Sequence, residues 1–285
     1  MLAHIFGGVF SPFEFDFFRN GIVVATLAGT LCGILGVFVV LRGMSYIGHG
    51  LSHAVFGGAA ASAVMNINYF IGAGIWGVVS GVIIGRIARR RVLGADAAIG
   101  VVTTASFAMG LALLNRFGQA QKSIEAVLFG SVLGVQTIDI VAVGAVTLLV
   151  IVVVVALYRS FLFATFDPEV AQVSGVRVAL IEVLLMAMLS LTILVTMRVI
   201  GTLLISALLV IPASISRMLT NSFAKMLWIS PIVGGACAFL GMFLSYHLDT
   251  SASATIILVG TLIFIAVYAF AGIRGRSRIA GIHSH

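Results

Sequence analysis

The sequence of 285 residues is 61% hydrophobic and only 9% charged, whereas soluble domains average about 25% charged residues. So few charged side chains cannot cover a soluble surface, which excludes an ordinary soluble enzyme, a disordered protein and a disulfide-stapled secreted module. The continuous apolar runs instead predict an all-α polytopic transmembrane bundle. The net charge of +7 is assigned to membrane orientation and not to nucleic-acid binding.

Nine apolar segments come close to the roughly 20 residues that a helix needs to cross a bilayer. They cover residues 21–41, 45–66, 70–88, 97–115, 137–157, 178–197, 200–217, 227–247 and 255–273. The segment 200–217 is short and contains Pro212, so a broken or re-entrant helix is the alternative there. The chain is therefore divided into an N-terminal segment 1–20, one membrane domain of eight or nine spans over 21–273, and a tail 274–285.

Basic residues are distributed unequally between the two predicted sides of the membrane. Twelve fall on one side, namely Arg42, Arg86, Arg89, Arg90, Arg91, Arg159, Arg177, Arg217, Lys225, Arg274, Arg276 and Arg278. The other side has four, namely Arg19, Arg116, Lys122 and Arg198. The positive-inside rule then predicts an N-terminus outside and a C-terminus in the cytoplasm.

The second predicted span contains two histidines, His49 and His53, with no other ionisable residue inside it. Their i, i+4 spacing puts both imidazoles on one helix face, where one helix can supply two ligands to a metal ion. A zinc-protease motif is absent, because Gly50 stands where the catalytic glutamate would be. Two imidazoles do not complete a tetrahedral site, so the remaining ligands must come from elsewhere or from a second copy of the chain.

Other ionisable candidates have structural interpretations that are at least as good. Glu182 near the start of the sixth span is expected to pair with a neighbour, and His247 and Asp249 form either an entry site or a polar loop. The tail histidines His283 and His285 are expected to belong to a solvated chain end.

The loop after the fifth span predicts a short, capped helix. Asp167 suits the N-cap, Pro168 the first helical position, Glu169 the positive first turn and Gly175 the position after the helix. Val173 would then be exposed on a cytoplasmic helix suited to docking into another protein. The alternative is a simple surface connector.

Several motifs together resemble the membrane subunits of ABC importers for zinc, manganese and chelated iron. The resemblance extends from about Gly21 to Phe270. The motifs are Arg42–Gly48 with Leu51–Ala54, Asp96–Gly100, Phe166–Glu169 with Gly175–Val176, Gly201–Leu204 with Ala207–Ala213, and Leu248–Thr250 with Ala254–Leu258.

This resemblance implies a homodimeric permease fed by an extracytoplasmic metal-binding protein and driven by two cytoplasmic ATPase subunits, with alternating access across the cytoplasmic membrane. The chain is expected to be no enzyme itself and to bind no permanent cofactor, because a Gly-x-x-x-x-Gly-Lys-Ser/Thr motif is absent. Coupling to the ATPase would use the helix with Asp167, Pro168, Glu169, Val173 and Gly175.

The metal ligands implied by the resemblance are an Asp and a His four residues apart on the pathway. The His matches His53, whereas His49 occupies the Asp position, which is a departure from the family. Imidazole suits zinc and carboxylate suits manganese, so zinc is predicted over the manganese or iron alternatives.

Two other functions remain possible from the sequence. A secondary metal transporter would need no ATPase but would be expected to have more intramembrane carboxylates. A membrane scaffold or sensor would use the two histidines structurally. An ATPase encoded next to this chain would discriminate between these readings.

Overall fold

The computed structural model describes residues 11–89, 95–117 and 134–282, and this part of the chain is helical throughout, with short connections. A single 3-10 turn at Ser11–Glu14 precedes the helices. The helices are α1 (Asp16–Leu41), α2 (Ile47–Val64), α3 (Tyr69–Arg89), α4 (Ala95–Phe117), α5 (Thr137–Ala156), α6 (Tyr158–Phe166), α7 (Pro168–Val173), α8 (Val178–Leu219), α9 (Phe223–Leu248) and α10 (Ala252–Ile282). The predicted all-α transmembrane bundle is confirmed.

Eight segments of the described chain are long and apolar enough to cross a membrane, and α8 supplies two of them. α2 is not among the eight although it has 18 residues, because its histidines, serines and glycines lower its hydropathy. Most of its side chains are nevertheless buried among α3, α4 and α8. The other spans therefore cover most of the surface of α2.

Aromatic contacts show which helix ends lie together. The Phe38 ring near the end of α1 contacts Phe161 of α6 at 5.0 Å and Phe223 of α9 at 5.7 Å. At the other end of the bundle the rings of Phe18 and Tyr246 are 5.4 Å apart. We call the end with Phe38 the basic end, because it also carries six described basic residues: Arg42, Arg86, Arg159, Arg177, Arg217 and Lys225.

The predicted sidedness of the loops agrees with these helix directions, since Arg19 and Arg116 lie at the opposite end. Arg90, Arg91 and Lys122 lie outside the described residues. That the basic end faces the cytoplasm stays a prediction of the positive-inside rule.

α1 and α9 approach each other at two glycines. A β-carbon on Gly29 would collide with the carbonyl oxygen of Gly234, and one on Gly234 would collide with that of Gly29. One turn away, the Ser230 hydroxyl donates to the Gly33 carbonyl oxygen at 2.7 Å. Small residues allow such close approach in membranes, where apolar side chains gain little by leaving lipid.

The chain reverses direction inside α8, at Gly201. Before this residue, Glu182 lies beside Gly85 at the basic end and Leu194 beside Gly74 farther along α3. After it, Leu209 packs against Gly36 of α1, which is again close to the basic end. The segment 200–217 thus begins at a break in the helix, as the alternative prediction of a broken helix expected. From this break the segment runs back to the basic end.

The backbone at Gly201 explains how the chain turns there. Its φ of 76° and ψ of 161° belong to a region that only glycine adopts readily. The Ser253 hydroxyl at the start of α10 donates to the Ile200 carbonyl oxygen at 3.2 Å, which satisfies a polar group freed by the break.

The two largest differences from the predicted boundaries are at the start of α1 and the end of α10. α1 begins at Asp16 and not at residue 21, because helical hydrogen bonding extends into the more polar stretch before the apolar run. α10 continues to Ile282, past the predicted end of its span at 273, since the helical backbone does not stop where hydropathy falls.

Replacing Gly201 with alanine should destabilise the protein by about 1–3 kcal/mol, because a β-carbon strains this backbone conformation. Thermal unfolding in detergent would measure the change. Gly144→Ala is the matched control, since a β-carbon there meets open space in a regular helix. Equal unfolding temperatures for the two variants would contradict the assignment of Gly201 as an obligatory glycine.

Candidate metal site

The two imidazoles of α2 lie against each other. The Nε2 atoms of His49 and His53 are 3.2 Å apart, and their ring planes are nearly perpendicular at 87°. Without an ion, a neutral ring can donate its N–H to the other ring. Two nitrogens bound to one tetrahedral zinc ion at 2.0–2.1 Å would be about 3.3 Å apart, so small ring rotations would let one ion replace the hydrogen bond.

This separation does not choose between metals. An octahedral ion with slightly longer bonds and ligand angles of about 90° accepts nitrogens at nearly the same spacing. The spacing therefore supports a site for a divalent transition metal without indicating which one.

Two aromatic rings contact the histidines, and a third ring packs against one of these two. Tyr46 lies 5.2 Å from His49 between ring centroids, and Phe107 of α4 lies 4.9 Å from His53. Phe56 contacts Phe107 from the other side at 5.3 Å. Both histidines are half-buried, so the site is sheltered from lipid and still open enough for an ion to enter.

α4 can place Phe107 over His53 because α2 has glycines on the face between the two helices. A β-carbon on Gly50 would collide with Ile99 and approach the Thr103 methyl group to 2.9 Å. One on Gly57 would collide with the Ser106 backbone. Gly50 and Gly57 thus form the contact surface for α4, whereas Gly48 faces Leu209 of α8 and Gly58 faces Trp76 of α3.

The described residues supply no third ligand next to the two histidines. Over the described residues no group of three His, Cys, Asp or Glu side chains is arranged to hold a metal ion. The nearby hydroxyls of Ser52, Thr103 and Ser106 each donate to a carbonyl one turn earlier on their own helix. The two imidazoles are therefore the candidate nitrogen ligands here, and an ion bound to them would need further ligands from outside this pair of side chains.

The histidines lie nearer the basic end than the sequence predicts. α2 begins at Ile47, so His49 and His53 are about 3 and 9 Å along the helix from its first residue. The predicted span started at residue 45, two residues before the helix does. The turn at Gly43, which has φ of 65°, separates α1 from α2 in the structure but did not fix the helix start in the sequence.

The predicted short, capped helix is present as α7. Asp167 accepts a hydrogen bond from the Val170 backbone N–H at 3.0 Å, and Pro168 occupies the first position. At the other end Gly175 has φ of 82°, and the backbone N–H of Val176 donates to the Ala171 carbonyl oxygen at 2.9 Å. These contacts form a Schellman motif.

Apolar side chains of α6 and α7 are exposed together at the basic end. This docking surface consists of Phe163, Phe166, Val170 and Val173, and Val173 is 91% exposed. It is attached to the bundle by the contact of Phe166 with Phe223 at 5.9 Å and by a hydrogen bond from Arg42 Nε to Thr165 at 3.3 Å. Phe166 belongs to the sequence motif Phe166–Glu169, whereas Phe163 was not predicted as part of this surface, although it lies in the aromatic run before Asp167.

The other candidates lie apart from the histidine site. Glu182 lines a cavity of about 110 Å³ with Arg86 of α3. The His247 ring packs against Phe243 at 4.7 Å, and Asp249 caps α9 in the left-handed conformation. His283 and His285 lie outside the described residues.

Comparison with known proteins places these features in a family. The model of the ABC 3 transport family matches residues 14–271. The chain is 33% identical over 262 residues to the "Manganese transport system membrane protein MntC" of Listeria innocua, covering 92% of this chain and 93% of that one. It is 34% identical over 274 residues to the "Manganese import system permease protein ScaB" of Streptococcus parasanguinis, covering 95% and 96%.

An iron-related protein and solved structures are also similar. The chain is 32% identical to a "Probable iron transport system membrane protein" of Haemophilus influenzae, covering 95% of this chain and all of that one. The permease in "PsaBC from Streptococcus pneumoniae in complex with Fab" superposes with a TM-score of 0.80 at 30% identity, covering 94% and 95% of the two chains. A structure titled as an inward-facing conformation of a metal-chelate type ABC transporter superposes with a TM-score of 0.67 at 19% identity and shares the fold.

Replacing both His49 and His53 with alanine should weaken binding of divalent metal to the purified protein by at least about tenfold, because both basic nitrogens are lost. Equilibrium dialysis with Mn²⁺ and with Zn²⁺ would measure this. His247→Ala is the matched control, since it removes an imidazole at the opposite end. A similar loss in the control would show that binding occurs elsewhere.

Proposed function

The chain belongs to the ABC 3 transport family and is the membrane permease of a metal ABC importer; we propose that its cargo is manganese. The observation that carries this proposal is the set of relatives at 33–34% identity over about nine-tenths of the chain, which are named as manganese transport proteins. These relatives favour manganese, the alternative considered from the sequence, over the zinc preference based on His49.

Zinc remains a second candidate because of the ligands themselves. His49 and His53 offer two imidazoles and no carboxylate, and nitrogen sites generally bind zinc more tightly than manganese. Affinity alone does not decide what is transported, however, because a transport site must also release its ion. Metal supply and the preference of the extracytoplasmic binding protein contribute to selection as well.

We propose that a second copy of the chain completes the site. Two protomers related by a two-fold axis through the histidine face would supply four imidazoles to one ion. The half-buried position of the pair and the absence of a third ligand among the described residues support this arrangement.

Transport would follow alternating access. An extracytoplasmic metal-binding protein would deliver the ion, and two cytoplasmic ATPase subunits would contact the docking surface. ATP binding and hydrolysis in the ATPase subunits would shift α6 and α7. This movement would open the histidine site first to one side of the membrane and then to the other. Family membership favours this mechanism over the secondary-transporter and sensor readings, because ABC permeases act with an ATPase.

The cargo can be tested by uptake into vesicles that contain the permease and its ATPase. ATP-dependent accumulation of radiolabelled manganese is expected, with unlabelled manganese competing better than zinc. His49→Asp should raise the preference for manganese further, because a carboxylate oxygen suits this harder ion.

His247→Asp, which introduces the same charge at the opposite end, should leave the ratio of manganese to zinc uptake unchanged. Zinc uptake without manganese uptake would overturn the manganese proposal. An unchanged ratio in His49→Asp would show that this position does not select the metal.

The ATPase contact can be tested at Val173. Burying a valine side chain is worth about 1.5 kcal/mol or more, so Val173→Asp should weaken ATPase association by at least about tenfold. Co-purification and transport-coupled ATP hydrolysis would report the loss. Leu219→Asp is the control, because Leu219 is also exposed at the basic end but lies outside the docking surface. Full association in Val173→Asp would exclude α7 as the contact.

A further inference from the structure

An open groove of about 540 Å³ runs along the outside of the bundle between α1, α5 and α9. Its walls include Val155, Tyr158, Leu227, Trp228 and Ile232. Trp228 is 75% exposed, and Val155 and Ile232 are also exposed. The groove lies on the other side of α1 and α8 from the histidine-bearing helix, and the proposed transport mechanism does not use it.

The interior of the groove is suited to a hydrocarbon chain. Its two threonines, Thr26 and Thr30, donate their hydroxyls to the carbonyl oxygens of Ile22 and Thr26 on the same helix, at 2.7 and 2.9 Å. Their hydrogen-bonding requirement is met within α1, and the other lining residues are apolar apart from Tyr158. A polar ligand would find few partners here.

The length of the groove matches one leaflet of a membrane. Along α9 it extends from Ala224 to Ala236, which is about 18 Å at 1.5 Å per residue. The hydrocarbon core of a bilayer is about 30 Å thick, so the acyl chains of one leaflet occupy about 15 Å of it. The groove therefore begins at the basic end and finishes near the middle of the membrane.

Positive charges flank the mouth of the groove at the basic end. The rings of Tyr158 and Phe223 are 5.5 Å apart, which brings the start of α6 next to the start of α9. Arg159 and Lys225, both exposed, are the sequence neighbours of the lining residues Tyr158 and Ala224. Basic residues beside an apolar groove at the membrane surface favour an anionic lipid headgroup.

We propose that this groove binds an anionic phospholipid of the leaflet at the basic end, with an acyl chain along α9 and the phosphate beside Arg159 and Lys225. A second copy of the chain is a less suitable occupant. A two-fold interface centred on the groove would bring Arg159 and Lys225 of both copies together, and like charges would repel.

The test uses the full permease–ATPase complex in nanodiscs with equal amounts of phosphatidylglycerol and phosphatidylcholine, followed by native mass spectrometry of the released complex. One phosphatidylglycerol per permease chain should remain bound. Arg159→Gln with Lys225→Gln should reduce its retention roughly 30-fold relative to phosphatidylcholine. Ala236→Phe, which fills the groove, should displace the lipid with the charges intact.

Arg19→Gln with Arg116→Gln is the matched control, because it removes the same charge at the opposite end, and it should retain the lipid. Equal retention of the two lipids by the unsubstituted complex would overturn the proposal, as would an equal loss in the control. Efficient disulfide formation between two copies of a Trp228→Cys variant would assign the groove to a second chain and also contradict it.

Discussion

Lipid offers no hydrogen-bond partner to a backbone or side-chain polar group, and this constraint governs the arrangement of the whole bundle. Helices satisfy the backbone within each span, and many serine and threonine hydroxyls follow the same rule by donating to carbonyls of their own helix. Ser52, Ser62, Thr103, Thr147, Ser190 and Thr196 all do so. Where the helix breaks at Gly201, Ser253 supplies the missing donor.

In this arrangement the basic nitrogens of His49 and His53 face each other inside the bundle. Their mutual contact satisfies only part of their hydrogen-bonding capacity, and an ion would satisfy more of it. Glycines on α2 bring α4 and Phe107 against the pair, while α3 and α8 shield the same helix from lipid. The contacts that shield this low-hydropathy helix thus also enclose the proposed metal site.

Much of this could be predicted from the sequence where the signal is local. The caps of α7 depend on Asp167, Pro168 and Gly175 alone, and the histidine spacing follows from helical geometry. The reversal at Gly201 was only partly predicted. The hydropathy pattern separates two apolar segments near this residue, but it does not show the backbone dihedral angles that turn the chain. The exposure of Val173 on α7 was predicted, whereas that of Phe163 and Phe166 was not, because it depends on how α6 lies against α9.

The metal is the feature that local sequence could settle least. Ligand type at His49 favours zinc, whereas the relatives favour manganese, and the proposed second half of the shell would come from another chain. Combined metal analysis and X-ray absorption spectroscopy of the purified, metal-loaded complex tests the central claim most directly. The account predicts one ion for every two permease chains, with four imidazole nitrogens around it. One ion per chain, or a shell without imidazole, would contradict it.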